Sequence, residues 1–194
     1  GSERDRGYVA IESEQMILED AFAEASVRTA EELGWPTSSS LVYLINELIN
    51  PNVDPGDPKD EAPAGYSLYS IVAGIDPTEV SKAPFGPLFP AGADVSEIGE
   101  RDIVLDDWVA GSLKVTVGDT VLVRYHLVGS HGELPEEEIE LTVRAIVPLD
   151  GSVTAADRGI TPEVRGITDA RNFQDWKRPF DMDISRVTKR DDLF

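Results

Sequence analysis

Two runs of sequence decide the fold: VGDTVLVRYHL at residues 117–127 and IELTVRAIV at residues 139–147. Both alternate at the two-residue period of a β-strand with one buried face. The side chains that share the apolar faces are Val121, Val123, Tyr125 and Leu127 in the first run, and Ile139, Leu141, Val143, Ala145 and Val147 in the second. Gly118-Asp119 predicts a turn into the first strand, and residues 129–138 predict a turn region between the two. We therefore expect two strands whose apolar faces are buried.

A short strand and a short helix are predicted just before these runs. Ile103-Val104-Leu105 is typical of a strand. Asp106 follows it directly and is suited to cap a helix whose apolar residues are Trp108, Val109 and Leu113. On such an amphipathic turn, Trp108 is interpreted as a core residue. Residues 103–147 are therefore expected to form one β-rich submodule.

The N-terminal part predicts one long helix. Between residues 13 and 33, apolar side chains recur at helical spacing. Gly34 followed by Pro36 is typical of a helix end. A short strand is predicted before the helix, at residues 8–11. We expect the helix to pack on the sheet through its apolar side.

Two further strands are predicted at residues 38–49 and 66–75. The first has apolar residues on both faces, which is typical of a strand buried on both sides. The loop between them is rich in Pro, Asp and Gly, so we expect the two strands to pair antiparallel across it. Residues 76–101 are predicted to be mostly connection because prolines and glycines interrupt them. In the tail, residues 148–194, the sequence predicts only a brief helix at residues 155–160 and a last strand at residues 184–187.

Together these elements predict an α+β fold: a mixed, mainly antiparallel sheet with one long helix, plus the β-rich submodule. A chain of 194 residues suits one domain. Gly1-Ser2 is typical of a cloning scar, so residues 1–2 are set aside and residues 3–194 are interpreted as the domain. The sequence begins within structured-looking residues, which is typical of a domain excised from a longer protein.

Composition excludes several classes of site and partner. The chain has no cysteine, so it has neither disulfides nor thiolate metal sites. Its net charge of −20 repels nucleic acid, and we expect no nucleic-acid partner. Its longest apolar runs are far shorter than the ~20 residues of a membrane-spanning helix. The acidic surface is interpreted mainly as a solubilising one, and it also suits a basic partner or cations.

Motifs for catalysis are missing from the sequence. It has no phosphate-binding loop, no Gly-x-Gly-x-x-Gly and no Gly-x-Ser-x-Gly. His126 is interpreted as a half-exposed strand residue on the face opposite Tyr125. His131 belongs to a glycine-flanked turn, and the spacing of the two histidines matches no helical zinc motif. We predict that the protein is not an enzyme and has no catalytic, metal-binding or cofactor-binding residues. A hydrolase that uses His131 with nearby carboxylates is the weakest alternative.

Several acidic and aromatic residues keep two interpretations. An aspartate recurs at every third residue, at Asp54, Asp57 and Asp60, and Pro55 and Pro58 interrupt this series. The pattern favours a solvated loop over a calcium site. Asp181 and Asp183 are a carboxylate pair of the same weak kind. Glu136-Glu137-Glu138 indicates either a solvated turn or a docking patch for a basic partner. Trp176 indicates either packing over the domain edge or contact with a partner.

Three stretches carry a resemblance to a known family: IVLDDWVA at residues 103–110, VGDTVLV at 117–123 and LTVRAIVP at 141–148. They resemble the extracytoplasmic core of MacB/FtsX-type ABC-transporter permeases. In that family a strand with a short helix, a V-G-D turn into a strand, and a later strand follow in this order. Ala145 stands where the family usually has Gly. Residues 14–20, 66–73 and 155–170 are similar to one branch of the same permeases.

The resemblance implies a domain on the extracytoplasmic, periplasmic side of the bacterial cytoplasmic membrane, between the first and second transmembrane helices of a permease. Its partners would be the remainder of the permease, a separate cytoplasmic ATPase subunit and an unknown extracytoplasmic substrate or protein. The implied function is non-catalytic: it couples ATP-driven movement to that substrate or protein. No substrate-binding residues carry over, and no cofactor is implied. The alternative is a free-standing extracytoplasmic binding module for a cationic or cell-surface ligand.

Overall fold

The computed structural model describes residues 9, 11–13, 18–54, 65–79, 98–127, 133–148, 175–176, 182, 185 and 187. Within them the chain has an α+β fold, so the predicted fold class is confirmed. The described helices are two, α1 (Asp20–Glu32) and α2 (Asp107–Leu113), and not one long helix. The strands are β1 (Ser40–Leu44), β2 (Glu47–Ile49), β3 (Tyr66–Leu68), β4 (Ile71–Ile75), β5 (Asp102–Asp106), β6 (Thr120–His126) and β7 (Glu136–Val147).

The strands form two sheets. The larger sheet has five strands in the order β3-β2-β6-β7-β5, and the smaller has β1 and β4. Every neighbouring pair is antiparallel except β5 and β7, which are parallel. The large sheet is therefore mixed and mainly antiparallel, as predicted. We call the two-stranded sheet of β1 and β4 the ribbon.

The main core lies between α2 and one face of the five-stranded sheet. Val121 and Val143 are 0% exposed, and Val123 is 5% exposed. Tyr125 packs against them, so the predicted inward face of β6 is confirmed through this residue. Leu127 is 45% exposed because β6 ends at His126, and its predicted place on the buried face is wrong.

The predicted strand and helix before β6 are confirmed. β5 passes directly into α2, and the Asp106 side chain accepts a hydrogen bond from the backbone N–H of Val109 at 2.7 Å. This bond satisfies one of the N–H groups that a helix start leaves without an intrahelical partner. Trp108 packs half-buried against the main core, in agreement with its interpretation as a core residue.

β7 departs from the predicted alternation in two ways. It begins at Glu136, so residues 136–138 form strand and not turn. It also contains a bulge, because Ile103 of β5 pairs with Val143 whereas Val104 pairs with Ala145. An extra residue reverses which side chains face inward. Ile146 therefore packs against the main core after Val143, where the sequence predicted Ala145 and Val147.

Helix α1 begins later than predicted and does not pack on the sheet. Leu18 and Glu19 are not helical, and Glu19 is extended with ψ 134°, so the helix starts at Asp20 and not near residue 13. No residue of α1 is buried, and Phe22 is 55% exposed. The expected burial of the helix against the sheet is therefore wrong.

The end of α1 agrees with the prediction. Gly34 has φ +70°, in the left-handed region that glycine adopts readily. Its N–H donates to the Glu31 carbonyl at 2.9 Å, and the Trp35 N–H donates to the Ala30 carbonyl at 2.8 Å. This pair of bonds is a Schellman motif, which satisfies the last carbonyls of a helix. Ahead of α1, Val9 and Ile11 are exposed and lie in no strand, so the strand predicted at residues 8–11 is wrong at these positions.

The predicted hairpin exists, but it is divided between the two sheets. The run at residues 38–49 forms β1 and β2, and the run at 66–75 forms β3 and β4. β1 pairs antiparallel with β4, and β2 pairs antiparallel with β3, so the predicted pairing is confirmed. The prediction of two continuous strands is wrong, because both runs bend between their halves.

Residues of the tail contribute to a second core. Met182 is 4% exposed and packs with Tyr66, Leu68 and Tyr69, while Trp176 and Val187 pack against this group. Packing over the domain edge is thus the interpretation of Trp176 that is confirmed. Ser185 has 3-10 geometry and Val187 lies in no strand, so the last strand predicted at residues 184–187 is wrong there. The brief helix predicted at residues 155–160 lies outside the described residues.

Candidate functional site

Polar side chains gather where the ribbon joins the five-stranded sheet. The chain bends at Asn46 between β1 and β2, and again at Tyr69 between β3 and β4. The end of β6 and the start of β7 lie beside this bend, because β2 pairs with β6 and β6 pairs with β7. We call the group that meets here the bend cluster; it comprises Tyr43, Asn46, Glu47, Arg124, Glu136 and Glu138.

Arg124 lies at the centre of the cluster because of strand register. It is directly opposite Glu47 of β2 on one side and Glu138 of β7 on the other, and opposite residues share a face of the sheet. Its Nη1 is 3.1 Å from Glu47 Oε2, and its Nε is 2.9 Å from Glu138 Oε2. The hydrogen bond to Glu138 raises the pKa of Arg124, with the charge of Glu47 adding to it. The guanidinium therefore stays positively charged.

Glu47 is the buried member of this ion pair, since its side chain is 8% exposed whereas those of Arg124 and Glu138 are 40% and 44% exposed. A buried carboxylate is costly unless a cation and hydrogen bonds compensate it. Loss of the Arg124 contact would therefore leave a buried charge uncompensated at Glu47, whereas at the more exposed Glu138 it would not.

Asn46 connects three elements at once. Its backbone N–H donates to the Arg124 carbonyl at 2.8 Å, and its carbonyl accepts from the Tyr69 N–H at 3.0 Å. Its side-chain Nδ2 donates to Glu136 Oε1 at 2.7 Å. One residue thus ties the bend of the hairpin to β6, to the returning strand and to the start of β7.

Tyr43 braces the ribbon against β6. Its hydroxyl donates to the His126 carbonyl. Its ring meets the Tyr125 ring edge-on, with centroids 6.3 Å apart and an interplanar angle of 86°. Such T-shaped contacts stabilise aromatic pairs beyond the area they bury. Burial raises the pKa of Tyr43, and the neighbouring Tyr125 raises it further, so the hydroxyl remains a hydrogen-bond donor at neutral pH.

The bend cluster is therefore an acidic, hydrogen-bonded joint between the two sheets. It brings three carboxylates, those of Glu47, Glu136 and Glu138, to a single arginine. Hydrogen bonds and ion pairs of Tyr43, Asn46 and Arg124 connect β1, β2, β6 and β7, which is an arrangement suited to holding the ribbon in place; the Asn46 Oδ1 atom is buried without a hydrogen-bond partner among the described residues. The adjacent Glu137 is exposed on β7 and is available to a partner.

The structure locates some of the residues predicted from sequence. His126 is half-buried in β6 and pairs with Glu136, on the face opposite Tyr125, as predicted. Asp54 is exposed. The other candidates, His131, Asp57, Asp60, Asp181 and Asp183, lie outside the described residues. In the described part of the chain, no group of three or more acidic or histidine side chains is arranged to hold a metal ion.

Sequence reasoning missed the bend cluster. The signal for it was the polar pair Asn46-Glu47, which interrupts the apolar run of residues 41–49. Polar residues inside an apolar run either break the element or find buried partners. Here they do both, because the strand bends at Asn46 and Glu47 binds Arg124.

None of the described helices is both long enough and apolar enough to cross a membrane. No protein-family model matches the chain, and no curated protein matches it either.

Proposed function

We propose that the chain is a non-catalytic extracytoplasmic domain of a MacB/FtsX-type ABC-transporter permease, which couples ATP-driven movement to a substrate or a partner protein. One observation supports this proposal. The three stretches that carry the sequence resemblance, residues 103–110, 117–123 and 141–148, are neighbours in β5, α2, β6 and β7. All of them contribute side chains to the main core. The resemblance therefore follows one packed unit and not scattered turns.

The mechanics of this unit fit the proposal. β7 is paired on both sides, with β6 antiparallel and with β5 parallel, and α2 covers the core beneath. A unit that carries movement has to keep its own shape, and a close-packed core with strands paired on both sides resists deformation. By contrast, neither α1 nor the two strands of the ribbon contain a fully buried residue.

Co-purification from membranes tests the proposal. The full-length protein is expressed from its own gene with an affinity tag, extracted in detergent and purified, and the bound proteins are identified by mass spectrometry. We expect the full-length protein to retain a separate ATPase subunit and to show ATP hydrolysis. The 194-residue chain with the same tag is the matched control and should retain no ATPase, because the proposed ATPase contact is cytoplasmic.

Protease treatment of intact spheroplasts gives the second readout. We expect this domain of the full-length protein to be cleaved in spheroplasts without lysis, because the proposal has it outside the cytoplasmic membrane. Full-length protein that is recovered in the soluble fraction, or that retains no ATPase from membranes, would overturn the proposal.

The exposed acids at the start of β7 favour a second candidate function, a free-standing extracytoplasmic module for a cationic or cell-surface ligand. Glu136, Glu137, Glu138 and Glu140 are all exposed on this strand. A row of carboxylates on one strand attracts basic groups at low salt. Titration of the chain with a lysine-rich peptide, followed by NMR, distinguishes this function. Salt-sensitive shifts confined to these residues, with no ATPase recovered from membranes, would favour it.

A further inference from the structure

Both strands of the hairpin bend at the same level. Asn46 on one strand and Tyr69 on the other are the bend positions. The Tyr69 N–H donates to the Asn46 carbonyl and the Ile45 N–H donates to the Ser70 carbonyl, both at 3.0 Å. Backbone hydrogen bonds therefore continue through the bend, and the ribbon is joined to β2 and β3 by a continuous ladder and not by loose loops.

Tyr69 has a backbone conformation that is unusual for its residue type. Its φ of 51° lies in the left-handed region, which a bulky side chain seldom occupies. The residue is 8% exposed, and its ring packs in the second core with Tyr66, Leu68 and Met182. An unfavourable backbone conformation persists only when the surrounding structure determines it. Packing of the ring therefore fixes the direction in which this strand bends.

Asn46 and Tyr43 fix the bend from the other strand. The Asn46 side chain reaches Glu136 at 2.7 Å, and its backbone N–H reaches the Arg124 carbonyl at 2.8 Å. Tyr43 adds its hydrogen bond to the His126 carbonyl and its ring contact with Tyr125. Ile45, between them, is 2% exposed and belongs to the main core. The joint is thus anchored in both cores.

We propose that the ribbon is a fixed lever arm, held at a set angle to the five-stranded sheet by Asn46 and Tyr69. A displacement of the ribbon is then carried into the large sheet and is not absorbed at the joint. The use of this arm to transmit movement rests on the proposed permease function, whereas its rigidity follows from the joint itself.

Distance measurements between spin labels test the lever arm on the 194-residue chain. The chain has no cysteine, so labels attach only where a cysteine is introduced. One pair, Leu41→Cys with Glu140→Cys, spans the joint from β1 to β7, and both positions are exposed. A second pair, Gly111→Cys with Glu140→Cys, lies within the α2 and large-sheet unit and serves as reference; Gly111 has open space for a side chain. We expect a single narrow distance distribution for both pairs.

Two variants then loosen the joint by different routes. Asn46→Ala removes the side-chain bond to Glu136, and Tyr69→Gly removes the ring while relaxing the left-handed backbone. We expect either variant to broaden or shift the distribution across the joint and to leave the reference pair unchanged. Asn52→Ala, the same kind of change at an exposed turn residue outside the joint, should leave both distributions unchanged.

Circular dichroism establishes that each variant is folded. If Tyr69→Gly unfolds the chain, Asn46→Ala decides the result by itself. A broad distribution across the joint in the wild type would overturn the lever arm, and so would a distribution that stays narrow and unshifted in Asn46→Ala. These measurements need neither membrane nor ATPase. They can therefore contradict the lever arm while co-purification supports the permease function, or support the lever arm while co-purification contradicts the permease function.

Discussion

Glu47 carries a carboxylate into a position that is 6% exposed, and Arg124 is the cation that binds it. We predict that Arg124→Gln lowers the free energy of unfolding by about 1–3 kcal/mol, because it leaves a buried acceptor poorly compensated. Urea denaturation measures the change. Glu138→Gln removes the more exposed ion pair of the same network, and it should lower the free energy of unfolding by less than about 1 kcal/mol. Equal costs for the two variants would contradict the distinct role of Glu47.

Val123 tests the inward face of β6 at a single position. It is 5% exposed and pairs with Leu48 on one side and Ile139 on the other. Val123→Asp should unfold the chain, because an unpaired charge in the main core costs more than about 3 kcal/mol of a marginal stability. Glu137→Lys at an exposed position of β7 should leave the fold intact. Thermal melting by circular dichroism compares them, and a Val123→Asp variant that melts like the wild type would show that the face is misassigned.

Asp106 makes stability depend on pH in a definite direction. Burial raises the pKa of Asp106, and this outweighs the Val109 N–H bond that lowers it. Since the folded protein holds this proton more tightly than the unfolded chain, ionisation of Asp106 lowers stability as pH rises from the ordinary value of 3.8 through the raised value. Asp106→Asn removes the charge and keeps a capping acceptor. We expect the variant to gain stability relative to wild type above this window and to lose that advantage below it.

Denaturation curves across pH measure the difference between the two proteins, which cancels the titration of all other acids. Asp106→Ala is the control, because it removes the same titratable group and also the capping acceptor. Its stability should change with pH in parallel with that of Asp106→Asn and lie about 1 kcal/mol below it throughout. A relative stability of Asp106→Asn that falls as pH rises would contradict the expected direction.

A single helix or strand could be predicted from the sequence where one local pattern determines it. The alternation of Val121 and Val123 predicted β6, and Asp106 before an amphipathic turn predicted the start of α2. β7 was predicted correctly only from Ile139 to its bulge, because a two-residue period carries no information on one inserted residue. The exposure of α1 could not be predicted either, since an apolar side at helical spacing does not say whether a partner surface exists.

The bend cluster was beyond local patterns for a different reason. Arg124 and Glu47 are 77 residues apart and meet only through the register of β2 against β6. That register depends on the division of the hairpin at Asn46 and Tyr69. The left-handed conformation of Tyr69 has no signal in its residue type, because packing in the second core imposes it.

Two glycines with different backbone conformations test the turn into β6. Gly118 has φ +96°, a conformation costly to any residue with a side chain, and its N–H donates to the Val143 carbonyl at 2.8 Å. Gly118→Ala should lower stability by about 1–3 kcal/mol. Gly111 lies in α2 with open space around it, so Gly111→Ala should raise stability by about 0.5–1 kcal/mol. Chemical denaturation measures both, and a loss of stability in Gly111→Ala would contradict the open space around Gly111.

At the scale of the whole molecule, charge opposes the compact state. The net charge is −20 over 194 residues, and like charges repel each other more strongly when the chain is folded. We predict that moderate sodium chloride raises the melting temperature, because the screening length falls to about 10 Å at 0.1 M. An uncharged osmolyte at equal osmolality controls for exclusion effects and should give a smaller rise. A melting temperature that falls with salt would mean that attractive pairs outweigh the repulsion.

The order β3-β2-β6-β7-β5 also determines when the chain can fold during synthesis. β2 and β3 are the first strands of the five-stranded sheet to leave the ribosome. The strand that pairs with the other edge of β2 is β6, and it also carries Arg124, which binds Glu47 and follows it by 77 residues. A two-stranded hairpin by itself is marginally stable in water. Contacts between distant parts of a chain also form slowly, because a long loop has to close before they are made. The early hairpin therefore remains exposed, with an uncovered edge open to self-association, until the ribosome has delivered β6.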